Sequence, residues 1–316
     1  MNLAQDYSTP AVTGPTPPAA SDLGHSILRT LAYSDLFDYP LTAEEIWRYQ
    51  AGTEYAASEV AEALAGDPIL RARVSNEGDF YCLSGREDIF AIRVQRARAS
   101  RRVWRRARAY GRIVSRLPFV RMVAVTGALA MDNLGDRPDI DFLVVTEAGR
   151  VWVCRRLIVG LVRLARLAGD DLCPNYIIAH NKLDIDQRDL FTAHELAQMV
   201  PLAGGGLYRA MLERNTWARQ YLPVAFREPF AVRESRQRQF LTRAVERVLR
   251  VRPLDEWETW EMRRLRKRLR PLIGKDAEVV CSPEQCKGHT GRHRHWITTR
   301  YEQRLAELGL SGSACS

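Results

Sequence analysis

Apolar residues recur at three- and four-residue spacing through 25–37, HSILRTLAYSDLF, which predicts a helix with one buried face. Tyr39-Pro40 ends that pattern. Thr42, followed three residues later by Glu45, is a capping-box signature and opens a second helix to about Tyr49. Ser58 stands where it would cap a third, EVAEALAG, which Gly66 and Pro68 close. The pattern then predicts two strands, 69–74 and 80–83, around the turn Asn76-Glu77-Gly78-Asp79. Residues 87–116 read as one long helix. Next come a strand at 120–125, a strand at 140–146, a helix at 151–168, a strand at 172–180 and a helix at 188–200. Beyond that the pattern is helical. Gly204-Gly205-Gly206 reads as a flexible joint. An amphipathic helix spans 207–221, a basic helical stretch 233–270 and a last helix 297–308.

This alternation predicts an α+β protein with a small mixed sheet and flanking helices. Residues 1–24, rich in Pro, Ala, Ser and Thr, read as a disordered tail. Residues 25–86 form an N-terminal module, 87–202 a central domain with the long helix leading into it, and 203–316 a helical C-terminal region. Three helices followed by a hairpin resemble a winged helix. In a winged helix that reads DNA, the third helix enters the major groove. Here that helix carries Glu59 and Glu62 and no Lys or Arg, and carboxylates repel phosphates. The wing offers only Arg71 and Arg73. A docking or packing role therefore fits better than sequence-specific DNA binding.

The most informative chemistry lies in 123–146, VAVTGALAMDNLGDRPDIDFLVVT. Residues i and i+2 of a strand share a face, so Asp139 and Asp141 project side by side while Ile140 turns into the core. Two carboxylates held that close repel unless a cation lies between them, and hard oxygen donors suit Mg²⁺, with Mn²⁺ as the alternative. Gly127, in the turn Thr126-Gly127-Ala128, stands twelve residues before Asp139 and can bring bare backbone N–H groups to a phosphate beside the metal.

The order strand, Gly127-Ala128, ten residues, Asp139-Ile140-Asp141, strand resembles the signature of the polymerase-β-like nucleotidyltransferase superfamily. The likeness covers roughly residues 119–180. It also extends to a bacterial group with an N-terminal winged-helix-like module before this domain and a helical tail after it. The resemblance implies a nucleotidyltransferase-type sheet and transfer of a nucleoside monophosphate from an NTP, with pyrophosphate leaving. It assigns Asp139 and Asp141 as catalytic metal ligands and Thr126, Gly127 and Ala128 as the nucleotide-binding turn. The family has Ser where Ala128 stands. It has a third carboxylate on a later strand, and the matching position here is Asn175, with Asp170, Asp171, Asp184 and Asp186 nearby if the register differs. The acceptor stays open: a small-molecule hydroxyl, RNA or protein. Two other readings stay open beside it. The scaffold could bind or regulate without turnover, or act as a winged-helix DNA-binding regulator.

Composition adds a partner class. The chain has 316 residues, 46% hydrophobic and 27% charged, with formal net charge +9. A basic excess fits a phosphate-rich partner and fits a solvated basic surface equally well. Between Ile89 and Met131 there are eleven arginines and no acid. Ten of them fall in 93–116, interleaved with Trp104 and Tyr110. That stripe could track a nucleic-acid backbone, or its arginine stems could cover apolar surface. Arg155, Arg156, Arg163 and Arg166 share a face of the 151–168 helix, which is too short and too charged to span a bilayer. With no secretory signal visible and six scattered cysteines, a cytoplasmic protein without membrane contact is expected. His194-Glu195 and Gln198 superficially resemble a zinc-protease helix, but the second histidine is missing. Cys281, Cys286, His289 and His293 have a spacing that zinc could use, although a loop into the last helix fits as well.

Overall fold

The computed structural model describes residues 22–136, 138–227, 230, 239–270, 279–288 and 293–310. The protein is α+β. Its N-terminal part comprises α1 (Asp22–Asp35), β1 (Leu41–Thr42), α2 (Ala43–Arg48), α3 (Ala57–Gly66), α4 (Pro68–Arg73), β2 (Val74–Glu77) and β3 (Phe80–Leu83). The three strands pair antiparallel in the order β1-β3-β2. Ile27, Leu28, Leu31, Ile46, Val60 and Leu70 are fully buried at the centre of this part.

The capping box at Thr42 and Glu45 forms, with Glu45 N–H donating to Thr42 Oγ1 at 3.1 Å and Thr42 N–H to Glu45 Oε2 at 2.9 Å. Ser58, by contrast, does not cap α3. Glu59 reaches back to accept from Ala56 N–H at 2.7 Å, which starts the helix at Ala57 with Ser58 inside it. Residues 68–73 form a helix, not a strand, because Asp67 caps it by accepting from Ile69 N–H at 2.7 Å and Pro68 fits its first turn. Arg71 and Arg73 therefore leave the wing. Arg73 instead donates to the Leu308 carbonyl at 2.8 Å. Asn76 and Glu77 stay in β2, so the turn is Gly78-Asp79 alone.

The central sheet has six strands in the order β7-β4-β5-β6-β9-β8. These are β4 (Val120–Thr126), β5 (Asp139–Thr146), β6 (Asp171–Ala179), β7 (Val200–Ala203), β8 (Val279–Cys281) and β9 (Gln285–Gly288). Only β5 and β6 run parallel, joined by the crossover helix α7 (Val151–Leu167). The long helix α5 (Ile89–Val114) and the short α6 (Gly127–Ala130) precede and follow β4. The helices α8 (Leu190–Gln198), α9 (Gly205–Arg214), α10 (Gln239–Leu249), α11 (Arg252–Leu269) and α12 (His293–Glu307) complete the described chain, with a 3₁₀ turn at Thr216–Gln220.

Helices cover both faces of this sheet. Ile140, Phe142 and Val144 of β5 face one core, with α5, α7 and α11. Leu143 and Val145 face the other, with α8 and α9. Strands buried on both faces read as near-continuous apolar runs, as β4 and the second half of β5 do.

The expected helical C-terminal region is corrected in four places. β7 extends to Ala203 as an edge strand on β4, and the segment with Cys281 and Cys286 is a hairpin that widens the sheet through β6. Gly204 is not a joint: at φ 80° it caps α9, and a Cβ there would strike Arg121 O and Met122. The helix expected over 207–221 breaks at Asn215, whose side chain bonds the carbonyls of Leu183 and Met211 at 2.8 and 2.7 Å. Residues 1–21, 231–238, His289 and Arg292 lie outside the described residues. Among the described residues, no helix is long and apolar enough to cross a membrane.

Candidate functional site

β4 and β5 lie antiparallel with Thr126 opposite Asp141, so the glycine turn begins where the two aspartates stand. Asp139 and Asp141 share a face with Leu143, away from the core that holds Ile140. Gly127 has φ 66°, a conformation that L side chains rarely adopt, and a Cβ there would lie 2.5 Å from Asp141 Oδ2. Glycine is thus required twice over: for the turn and for the carboxylate packed against it.

Burial, and after it the neighbouring Asp139 charge, push the Asp141 carboxyl from its ordinary 3.8 up to about 7, partly offset by a hydrogen bond involving Cys173. Along β6 the parallel register shifts between the pairs Asp141–Cys173 and Leu143–Tyr176. That bulge turns Asn175 toward the same space. Thr126 Oγ1 and Asn175 Oδ1 are buried and have no hydrogen-bond partner among the described residues.

These groups border a cavity of about 400 Å³, within the range of small-molecule sites. Thr126, Gly127, Ala128, Asp139, Asp141 and Asn175 line one wall. The N-terminal part supplies another, through Tyr33, Phe37, Tyr39 and Tyr49. α8 supplies a third through His194, Glu195 and Gln198, and Lys287 of β9 completes the lining. Tyr33 stacks on His194 with ring centroids 3.9 Å apart, which fastens the N-terminal part to α8. Burial lowers His194 to about 3, so it is neutral, and Gln198 lies 3.2 Å from its Nδ1. His194 is therefore a packing residue.

Glu195 is the member of the cavity that sequence reasoning passed over. Its carboxyl is raised by burial, with Lys287 opposing that rise. The usable signal was one acid inside the apolar run Ala193 to Ala197. Lys287 donates to Gln187 Oε1 at 3.0 Å and is the single Lys or Arg among the described lining residues. Its role was not legible without β9.

The alternative third acids lie elsewhere. Asp170 is bound by Arg106 and by Tyr110 O–H at 2.7 Å, Asp171 pairs with Arg166, and Asp184 and Asp186 pair with Arg188 and Lys182. None of the four lines the cavity. The basic helix α11, from the stretch expected to be helical over 233–270, packs on the side of the sheet opposite the cavity. There Glu258 of α11 accepts from Trp152 and Val153 N–H, both at 2.7 Å, at the start of α7. Cys281 and Cys286 are free thiols facing each other across the β8–β9 hairpin, and His289 lies outside the described residues.

Comparison with protein-family models, with curated proteins and with solved structures finds no match to this chain.

Proposed function

We propose that this protein is a metal-dependent nucleotidyltransferase, with a polymerase-β-like central sheet and a winged-helix-like N-terminal module that walls its active site. The observation that carries the reading is the packing of two same-face carboxylates, Asp139 and Asp141, against a positive-φ glycine at the wall of a nucleotide-sized cavity.

The donor set fits a hard divalent cation. It is all oxygen, it includes two mutually repelling carboxylates, and the buried Asn175 Oδ1 adds a neutral acceptor. Among the described residues, no cluster of three or more His, Cys, Asp or Glu suited to a metal is present. Mg²⁺ is commonly held by one or two carboxylates plus waters and substrate phosphates. Asp139 and Asp141 would hold it, and when bound it would neutralise the triphosphate during in-line displacement.

The chain's own groups supply the rest. Gly127 lets the backbone approach the phosphates without a side chain in the way. Lys287 offers a positive charge toward the leaving pyrophosphate. The tyrosine wall excludes water and gives a flat surface for a base. Glu195, a half-buried carboxyl whose proton affinity is raised by desolvation, can accept the proton of the acceptor hydroxyl. The acceptor hydroxyl belongs to a small molecule, RNA or protein.

A second reading, nucleotide binding or regulation without turnover, is favoured by Ala128 and Asn175, which stand where the family has a hydroxyl and a carboxylate. Pyrophosphate release with Mg²⁺, each NTP and a panel of acceptors tests the proposal. Release that disappears in Asp139→Asn supports transfer. Nucleotide binding with no release from any pair supports the second reading.

A further inference from the structure

We infer that the outer face of α5 is a binding surface for the phosphate backbone of a nucleic-acid duplex, independently of the reaction proposed for the cavity. Arg98, Arg101, Arg105, Arg108, Arg112 and Arg116 recur every three or four residues along α5 and the turn after it, and all six are exposed. Their opposite face is the buried one, formed by Ser100, Val103, Ala107, Gly111 and Val114 against the sheet. At 1.5 Å per residue, the stripe is about 27 Å long.

Apart from Arg102, which is exposed at the edge of the stripe, the arginines here divide by partner. Arg93 reaches Glu45 at 2.9 Å, Arg96 reaches Asp38 at 3.2 Å, and Arg106 pairs with Asp170. These three serve the fold. The outward six form no ion pair among the described residues, although Arg108 lies 5.3 Å over the Trp104 ring. Like charges at i+3 and i+4 destabilise a bare helix, so a row of six with no interleaved acid calls for an external anion. Arg156 and Arg163 of α7 are exposed on the same side of the sheet and extend the positive field.

The aromatic residues decide which polyanion fits. Trp104 donates its indole N–H to Asp132 at 2.6 Å, and Tyr110 donates to Asp170 at 2.7 Å. Both are turned inward, so neither offers a face to an unpaired base. A single strand, which binds by stacking as well as charge, is poorly served. A duplex hides its bases and presents phosphates in a row. The stripe spans about 8 bp at roughly 3.4 Å per step, and binding should be blind to sequence.

Fluorescence anisotropy with labelled random-sequence duplex DNA, duplex RNA and single-stranded RNA tests this, using the full chain. With about five phosphates neutralised, affinity for a duplex should fall roughly 500-fold between about 50 and 200 mM salt. The variant Arg101→Gln/Arg105→Gln/Arg108→Gln/Arg112→Gln should lose most of that affinity and flatten the salt dependence, with an unchanged melting temperature. The matching fourfold lysine variant should retain binding. The DNA and RNA arms identify which duplex is preferred. Affinity unchanged in the glutamine variant, or lost equally in the lysine variant, overturns the proposal. So does binding confined to single strands, to anionic phosphatidylserine vesicles or to polyglutamate.

Discussion

Replacing Asp141 with Asn separates what the carboxylate costs the fold from what it contributes to the site. Its rise from 3.8 to about 7 corresponds to roughly 4 kcal/mol at about 1.4 kcal/mol per pH unit. The sign follows from which state binds the proton. Below about pH 4 the carboxyl is protonated in the folded and unfolded chains alike and costs nothing. Between about pH 4 and 7 only the unfolded chain has released the proton, so stability falls as pH rises, and above about 7 the whole cost is present. Relaxation of the surroundings, which act with an effective dielectric constant well above that of dry protein, offsets part of it, leaving about 2 kcal/mol as the expected figure. For 316 residues, at about 2.1 cal/mol/K of unfolding entropy each, that is about 3 °C. Asp141→Asn should therefore melt about 3 °C higher than the wild type at about pH 8 in chelator, and the difference should shrink toward zero near pH 4. Adding Mg²⁺ at a hundredfold excess over its dissociation constant should raise the wild type by about 2.7 kcal/mol and the variant by much less. Differential scanning calorimetry over this pH and metal grid reads all three effects. A variant no more stable than the wild type at alkaline pH, or one equally stabilised by Mg²⁺, would refute the picture of a strained carboxylate pair awaiting a cation.

Four further outcomes follow from the same geometry. Gly127→Ala should cost about 1–2 kcal/mol from its positive φ and lower turnover further by displacing Asp141, measured as melting temperature and kcat together. Ala128→Ser adds a hydroxyl to the glycine turn and should lower the KM for NTP several-fold with kcat little changed; an unchanged KM would mean that the turn does not touch phosphate. Glu195→Gln should lower kcat by about 10²–10³ while calorimetric nucleotide affinity stays within about twofold, the signature of a lost proton acceptor. Lys287→Met should weaken NTP binding about tenfold, the scale of one hydrogen bond to a charged group, and wild-type affinity in that variant would place the triphosphate elsewhere.

The aspartate pair and its glycine were legible because their geometry is local. A strand alternates its faces regardless of context, and a glycine turn followed by a valine-rich strand leaves little freedom in where Asp139 and Asp141 point. The helices α1, α2 and α7 were legible for the same reason, from apolar spacing and one capping box. What escaped was set at a distance. β7, β8 and β9 are three or four residues long; β7 and β9 exist only because β4 and β6 offer them partners, and β8 pairs in turn with β9. Lys287 reached the site only through that pairing. Asp67 overrode an apolar run that looked like a strand, because a carboxylate cap and a following proline fix the backbone more firmly than alternation does. Within α5, helical phase against Val103, Ala107 and Val114 could have separated the inward Arg93 and Arg96 from the outward six. Counting arginines could not.

The proposed transfer depends on Asp139 and Asp141 acting together on a nucleotide. Its most direct test is pyrophosphate release from NTP and Mg²⁺ by the wild type, with Asp139→Asn alongside it and both folds checked by circular dichroism. Release is expected with at least one NTP and acceptor, Mg²⁺-dependent and abolished in the folded variant. Equal release from wild type and variant would contradict the proposed transfer.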